Sequence, residues 1–171
     1  MASNSFTASF LDQKQHEVQR QSHFQIQIEG FDEAFSFHIR SGNLPTKTFS
    51  VIETRVYNET NKQAGSRSFD DLSITIHDAV GYDIERKLHE WQEEIQVTET
   101  GYMGYAEDYK RNAEIVEYNV NGTIRSRWQY QGIWPSSVNY GSLDKDNVDK
   151  KSINVTFSVD KAWLESQNTQ L

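Results

Sequence analysis

Three stretches of the chain alternate apolar and polar residues with a period of two, and this alternation limits the possible folds more than any other feature. In HFQIQIE, Phe24, Ile26 and Ile28 share one side of an extended chain. The pattern recurs in LSITIH (72–77) and in SINVTFSV (152–159). Because successive side chains of a strand point to opposite faces, each stretch predicts a strand with one apolar face. Such strands are typical of antiparallel sheets that cover a core on one side.

A first hairpin is predicted directly after the strand at HFQIQIE. Residues 30–32 form a short turn sequence that contains a glycine. The following run, AFSFHIR, would place Phe35, Phe37 and Ile39 on one side of a second strand. Two alternating stretches separated by such a turn indicate a β-hairpin.

The segment TFSVIETRVY (48–57) is rich in β-branched residues and also predicts a strand. Its apolar residues change parity between Val51 and Ile52, which indicates a bulge or a break. The polar residues 58–67, NETNKQAGSR, follow. We interpret them as a long loop, and loops of this length in compact domains are usually functional or disordered.

Asn121-Gly122 predicts a second hairpin, because this dipeptide suits the tight turns that connect antiparallel strands. Trp134-Pro135 is expected to end the outgoing strand, since proline cannot donate a hydrogen bond to a neighbouring strand.

One amphipathic helix is predicted in GYDIERKLHEWQEEIQ. Ile84, Leu88, Trp91 and Ile95 recur at intervals of three and four residues, which places them on one face of a helix. Asp83 lies at the amino-terminal end, where a negative charge is favourable.

Together these elements predict a mainly β (α+β) fold, with two packed antiparallel sheets in a sandwich or barrel and one flanking helix. The 171 residues suit a single domain. We expect an N-terminal arm at 1–21, one domain at 22–163 and a C-terminal tail at 164–171.

The composition excludes several classes of protein. The net charge of -8 argues against a sequence-reading DNA-binding protein, although DNA can still pass an acidic wall without adhering. No apolar run approaches the ~18 residues of a membrane span, and no signal peptide is apparent, so we expect a protein that is not exported. Only 36% of the residues are hydrophobic, which favours self-association as a way to bury more surface.

No constellation of residues predicts catalysis or metal binding. Neighbouring strand residues point to opposite faces, so the carboxylates of Asp70 and Asp71 cannot act as a pair. We predict instead that Arg67 holds Asp70, with a partner on another subunit or exposure to solvent as the alternatives. The chain has no cysteine, and the acidic turn at Asp144, Asp146 and Asp149 lacks the spacing of a calcium loop. His89-Glu90 lacks the second histidine of a zincin helix.

Several motifs, in their order and spacing, resemble the tail tube proteins of contractile-tailed, T-even-like bacteriophages. The resemblance covers about residues 22–163, and a departure occurs in NYGSLDKDNVDKKS around Leu143. The motifs are Arg67-x-Phe69-Asp70-Asp71, the helix with Trp91-Gln92, Tyr109-Lys110, Gly132-x-Trp134-Pro135 and the closing strand.

The resemblance implies a non-enzymatic structural subunit without cofactors, with a fold shared by tubes of type VI secretion and of phage-derived injection machines. It implies stacked hexameric rings whose lumen conducts genomic DNA without sequence recognition. The implied partners are further copies of the chain and the sheath, tape measure, baseplate and tail-terminator proteins, with no membrane partner. The implied location is the virion tail, assembled in the bacterial host cytoplasm.

Three alternatives remain open at this point. The chain is a tube-initiating paralogue in a baseplate, the tube of a phage-derived contractile injection system, or a monomeric β-sandwich that binds a ligand through exposed tryptophans.

We predict that the segment 58–67 reaches the adjacent ring, with its root held by the charged cluster that follows. Deletion of residues 59–64 should then abolish polymerisation and leave a folded protein. The Gln25/Gln27 and Arg125/Arg127 surfaces are both candidates for the lumen, which we expect to be neutral or negative. The predicted contact residues are Asn58, Glu59, Thr60, Asn61, Lys62, Gln63, Arg67, Asp70 and Asp71.

Overall fold

The structure is a computed structural model that describes residues 23–78, 83–143 and 150–165. The predicted N-terminal arm, the acidic turn with Asp144, Asp146 and Asp149, and all but two residues of the predicted tail lie outside these ranges. The strands of the described residues are β1 (Phe24–Ile28), β2 (Ile39–Gly42), β3 (Lys47–Val56), β4 (Glu59–Phe69), β5 (Leu72–His77), β6 (Arg111–Tyr118), β7 (Ile124–Asn139), β8 (Ser152–Ser158) and β9 (Lys161–Leu164). The helices are α1 (Glu33–His38), α2 (Ile84–Ile95) and α3 (Ala106–Tyr109).

Seven strands form one antiparallel sheet in the order β1-β6-β7-β8-β5-β2, and β9 also pairs with β7. Strand β7 has 16 residues and belongs to both halves of this sheet. Its first part pairs with β6 and β9, and its last part, Trp134–Asn139, pairs with β8. The sheet curls around a core that α2 covers, so the predicted mainly β class with a flanking helix is confirmed.

The alternation in the sequence correctly identifies the core strands. The apolar residues of β1, β5 and β8 face inward, and the α2 residues Ile84, Leu88 and Trp91 are buried against them. The Trp91 ring lies 5.4 Å from the ring of Phe157, centroid to centroid. The hairpin predicted at Asn121-Gly122 also forms, between β6 and β7.

The predicted strand at AFSFHIR is wrong for most of its length. Residues 33–38 form α1, and only Ile39 begins a strand, which pairs with β5 rather than with β1. In α1, Phe35 packs against Phe31 of the preceding turn, with ring centroids 4.3 Å apart, and Phe37 is left 67% exposed. The spacing of the phenylalanines is compatible with either a strand or a helix. The packing of Phe35 into the core favours the helix.

The predicted end of a strand at Trp134-Pro135 is also wrong, because β7 continues to Asn139. The ladder with β6 stops at Ile133, and the β7–β8 register shifts between Pro135 and Ser137. Proline is tolerated at such a place, since one side of the strand has no ladder to interrupt and an irregularity lies on the other.

The loop predicted at residues 58–67 is a strand. Residues 59–69 form β4, which pairs with β3 from Val56↔Glu59 to Lys47↔Phe69. The polar composition misled the interpretation, because a backbone ladder needs no apolar side chains when both faces of a hairpin are exposed.

Candidate assembly surfaces

The β3–β4 hairpin, residues 47–69, is a two-stranded sheet that stands apart from the seven-stranded sheet. Every residue of β3 is exposed, and β4 is exposed except for partial burial of Gly65 and Phe69. The large apolar side chains of β3 are about half exposed or more, from Phe49 at 49% to Val51 at 61%. An isolated two-stranded hairpin is at best marginally stable in water, so this exposed hairpin is a candidate contact surface.

The hairpin continues the β2–β5 ribbon out of the body of the protein. Asn43 makes hydrogen bonds across the junction between the hairpin and the body. The Asn43 side chain donates from Nδ2 to the Asp71 carbonyl (3.0 Å), and its Oδ1 accepts from the Ser73 amide (2.6 Å). The amide of Asp70 donates to the carbonyl of Thr46 (3.1 Å). Asp70 and Asp71 therefore lie where β4 of the hairpin becomes β5 of the body.

The predicted Arg67–Asp70 ion pair does not form. The Arg67 guanidinium lies 6.0 Å from the ring centroid of Phe69, and Asp70 is exposed without an ion-pair partner among the residues described. Arg67 lies within β4, whereas Asp70 lies after its end at Phe69, in the link to β5. The amide of Asn43, rather than a charge, makes the local contact.

A bulge lies near the base of the hairpin. The register shifts between Phe49 and Val51, where one residue of β3 lies opposite two residues of β4. This position in β3 is close to the parity change between Val51 and Ile52 that predicted a bulge or a break. The Ser50 hydroxyl lies 3.2 Å from the Ser66 hydroxyl, and a Cβ on Gly65 would lie 2.4 Å from Ser50 Oγ. A bulge increases the local twist of a ribbon, so it sets the direction of the distal hairpin.

The predicted contact residues fall into two groups along this hairpin. Residues 58–63 form its tip and the distal part of β4, where Lys62 pairs with Glu53 across the strands at 3.2 Å. Arg67, Asp70 and Asp71 lie at its base. Sequence reasoning missed Tyr57 at the turn, which is 98% exposed and has a φ of 55°. It also missed Asn43, whose role depends on strands that are about 30 residues apart in the chain.

A second surface, the polar face, is the outer side of the sheet formed by β1, β6, β7 and β9. The Gln25/Gln27 and Arg125/Arg127 surfaces, predicted as alternatives, are parts of this one face. Tyr118 donates to the Gln25 side chain across it (3.0 Å). The cross-strand rows that define the polar face are Gln25–Val116–Arg127, Gln27–Glu114–Gln129–Trp163 and Gln131–Lys161.

Charges on the polar face are largely paired. Arg127 Nε lies 3.8 Å from the Glu114 carboxylate and 3.6 Å from the Glu165 carboxylate. Gln129 donates to the same Glu114 carboxylate (3.0 Å). The face therefore presents amides and ion pairs to solvent.

The opposite side of the molecule carries α2 and its ion pairs. Lys151 donates to Glu85 (2.5 Å) and lies 3.7 Å from Asp78, and the hydrogen bond to Glu85 is the main reason that the pKa of Lys151 is raised. These contacts join α2 to the β5–β8 end of the sheet. They have the character of structural ion pairs rather than of a reactive site.

Neither a cluster of metal ligands nor a membrane-spanning helix is found among the described residues. No three His, Asp or Glu side chains among them are arranged to hold a metal ion. None of the helices in the described ranges has the length and apolarity to cross a membrane.

Comparison with known proteins identifies the family of this chain. The family model for "Phage tail tube protein" matches residues 1–164. Tail tube protein gp19 of Enterobacteria phage T6 is 29% identical over 141 residues, which cover 80% of this chain and 86% of that protein. The gp19 protein of Enterobacteria phage T4 matches with the same identity and coverage.

Solved structures share the fold at low identity. The anti-feeding prophage tube-terminating cap matches with a TM-score of 0.71 and 17% identity, over 88% of this chain and 93% of that one. The sheath–tube complex of the PVC extracellular contractile injection system in its extended state matches with a TM-score of 0.65 and 18% identity, over 96% and 99%. The resemblance drawn from the sequence motifs is confirmed. Because the family match spans nearly the whole chain, this protein belongs to the phage tail tube protein family and is a non-enzymatic structural component of a virion tail tube.

Proposed function

We propose that this chain assembles into hexameric rings, and that the rings stack into a hollow tube whose lumen conducts genomic DNA. The tube would form around a tape measure protein, begin on a baseplate and end at a tail-terminator protein, with a sheath protein outside. Membership in the family establishes a tube subunit, and the ring size, stacking and DNA passage are our proposal.

The β3–β4 hairpin is the observation that carries this proposal. Its exposed apolar residues gain nothing in an isolated chain, and its strand edges would be open to aggregation. A hairpin that lies against another copy buries those residues and covers those edges. A contact between two different surfaces of identical chains closes a ring or extends a filament, depending on its rotation.

The polar face supports a role as the lining of the lumen. Its amides and paired charges can face water, and the acidic partners of Arg127 prevent it from acting as a free phosphate-binding cation. Double-stranded DNA could therefore slide past without adhering. A solved tube with a strongly basic lumen would contradict this part of the proposal.

Electron microscopy of the purified protein tests the proposal directly. We expect negative-stain images of tubes or six-membered rings from the unmodified chain. Deletion of residues 59–64 alone would remove the partner of distal β3, so a register-matched variant is better. Removing residues 53–62 and joining Ile52 to Gln63 through Asn-Gly keeps a short hairpin.

The shortened variant should fold and remain unassembled. Circular dichroism and analytical ultracentrifugation report its fold and its mass. A matched control exchanges Glu53 and Lys62, which keeps the ion pair and the length, and it should still form tubes. Normal tubes from the shortened variant would refute a stacking role for the hairpin.

Two alternatives give different results in the same experiment. A terminator or initiator is the second candidate, because the fold is similar to that of a tube-terminating cap. Such a protein would form single rings that do not grow. A ligand-binding module would remain a monomer, and its tryptophan fluorescence would respond to a ligand.

A further inference from the structure

A cleft separates the two end strands of the curled sheet. β1 pairs only with β6, and β2 only with β5, among the described strands. The two approach closely at Gly42, where a Cβ would lie 2.5 Å from Ile26 Cδ1. The cleft beside this approach has a volume of about 510 Å³, and Phe24, Ile26, Leu44 and Ile115 supply its apolar lining. Clefts of this size commonly hold a ligand or an inserted side chain.

Arg40 is the charged residue of this cleft that could pair with an incoming acidic group. The other charged residue of the lining, Glu117, accepts a hydrogen bond from the Ser126 hydroxyl. Arg40 is exposed and has no acidic partner among the residues that the structure describes. An apolar cleft with one unpaired cation suits an aromatic side chain that has a carboxylate beside it.

The tip of the β3–β4 hairpin offers that combination. Tyr57 is 98% exposed and adopts a left-handed φ of 55°, which glycine or asparagine would adopt with less strain. An exposed aromatic residue in a strained turn gains nothing within its own chain, and strain of this kind is typical of functional positions. Glu59 follows two residues later and is also without an ion-pair partner in the described ranges.

The hairpin cannot place its tip in the cleft of its own chain. Gly42 and Leu44 of the cleft lie at the base of the hairpin, and the ten residues of β3 carry the tip about 30 Å away from that base. A hairpin tip that occupies the cleft must therefore come from another molecule. A tip-to-base contact is also head-to-tail, so each added copy presents a new tip and the contact propagates.

We propose that Tyr57 of one copy inserts into the cleft between β1 and β2 of a second copy, where Glu59 pairs with Arg40. This inference rests on the proposed assembly and adds to it the site that receives the hairpin. The proposed contact also accounts for a tyrosine at this turn, where glycine or asparagine would be less strained.

Disulfide crosslinking tests the contact, and the chain is suited to it because it contains no cysteine. In the Tyr57→Cys, Leu44→Cys double variant, the docked geometry brings the two positions within disulfide reach only between copies. Assembly under mild oxidation should give disulfide-linked species larger than dimers on a denaturing gel. The Tyr57→Cys single variant can give at most dimers.

The matched control is the Tyr57→Cys, Tyr105→Cys double variant, because Tyr105 is 69% exposed and outside the cleft. Tubes that form without the Tyr57–Leu44 crosslink, or with equal crosslinking in the control, would overturn the docking site and leave the proposed function standing. Failure of the unmodified chain to form rings or tubes would overturn the proposed function itself, and the docking contact with it.

Charge reversal provides a second test that does not depend on oxidation. Arg40→Glu and Glu59→Lys should each raise the concentration needed for tube formation by about fivefold, because an attractive pair becomes a repulsive one. The double variant should return that concentration to near its original value. Additive losses in the double variant would show that the two residues do not meet, and would overturn the pairing.

Discussion

At the scale of the residue, Arg111 joins three parts of the molecule. Its guanidinium donates to both oxygens of the Glu94 carboxylate, at 2.8 and 3.1 Å. It also lies 4.5 Å from the ring centroid of Trp91 and 5.5 Å from that of Phe31. One planar cation thus combines an ion pair, made through Nη2 alone, with aromatic stacking, and it holds α2 against the sheet.

Replacing Arg111 with alanine should lower the free energy of unfolding by about 2 kcal/mol, since both the carboxylate and the ring contacts are lost. Urea denaturation measures the change. Arg86→Ala is the matched control, because Arg86 pairs with Asp83 and Glu90 on the exposed side of α2 and should cost about 0.5 kcal/mol or less. Equal losses in the two variants would show that the stacking contributes nothing.

Glu93 gives a pH dependence at the end of α2. Its carboxylate accepts hydrogen bonds from the Thr98 hydroxyl and from the Thr98 amide, and these lower its pKa below the ordinary 4.5. A lowered pKa means that the stabilisation is complete above the unfolded value and is lost as the pH falls through the folded value.

The difference in stability between the native chain and a Glu93→Gln variant should therefore be constant above about pH 5 and should shrink below about pH 4.5. Denaturation at a series of pH values measures it. A difference that stayed constant down to acid would contradict the role of the Thr98 hydrogen bonds.

At the scale of the element, α1 shows how packing overrides an alternating pattern. A strand would bury Phe35 and Phe37 together, whereas the helix buries Phe35 and leaves Phe37 exposed.

Phe35→Ala should cost about 3–5 kcal/mol, because it leaves a cavity beside Phe31 in the core. Phe37→Ala should cost less than about 0.5 kcal/mol, because surface substitutions rarely exceed that. Thermal or urea denaturation of the pair distinguishes helix from strand. Similar costs for both would indicate the strand that the sequence suggested.

The junction of the β3–β4 hairpin is a second element in which a single side chain matters. Asn43→Ala removes two hydrogen bonds that span the base of the hairpin and should cost about 1 kcal/mol. The amide of Ser73 should then exchange with solvent deuterium faster, while amides in β8 keep their protection. Unchanged exchange at Ser73 would show that the Asn43 contacts do not hold the junction.

At the scale of the whole molecule, the chain has a well-packed body and a hairpin that its own body leaves uncovered. Local stability follows buried contacts, so amides of β3 and β4 should exchange within seconds to minutes in the monomer, while those of β6 and β7 exchange slowly. In assembled tubes the hairpin amides should become protected as well. Hydrogen–deuterium exchange of the two states measures this, and a hairpin protected in the monomer would contradict it.

The sequence by itself determined the core strands, the amphipathic helix and the hairpin at Asn121-Gly122. Each of these elements depends on a short-range repeat of apolar residues or on a turn residue. Burial of one face of a strand or helix produces that repeat in the sequence. The family motifs were also accessible from the sequence. The form of the segment from Asn58 to Asp71 was not, and its role in assembly stays a prediction.

Only the tertiary structure decided the features that depend on distant partners. Phe35 became helical because the core lay on one side, and Pro135 stayed within a strand because β6 had already ended. The polar residues after Asn58 became a strand because β3 supplied a ladder, a gain that involves backbone groups and leaves no trace in side-chain hydrophobicity. The Asn43 contacts form only because β2 and β5 are neighbours in the sheet. The β1–β2 cleft exists only where a curled sheet brings its two ends together.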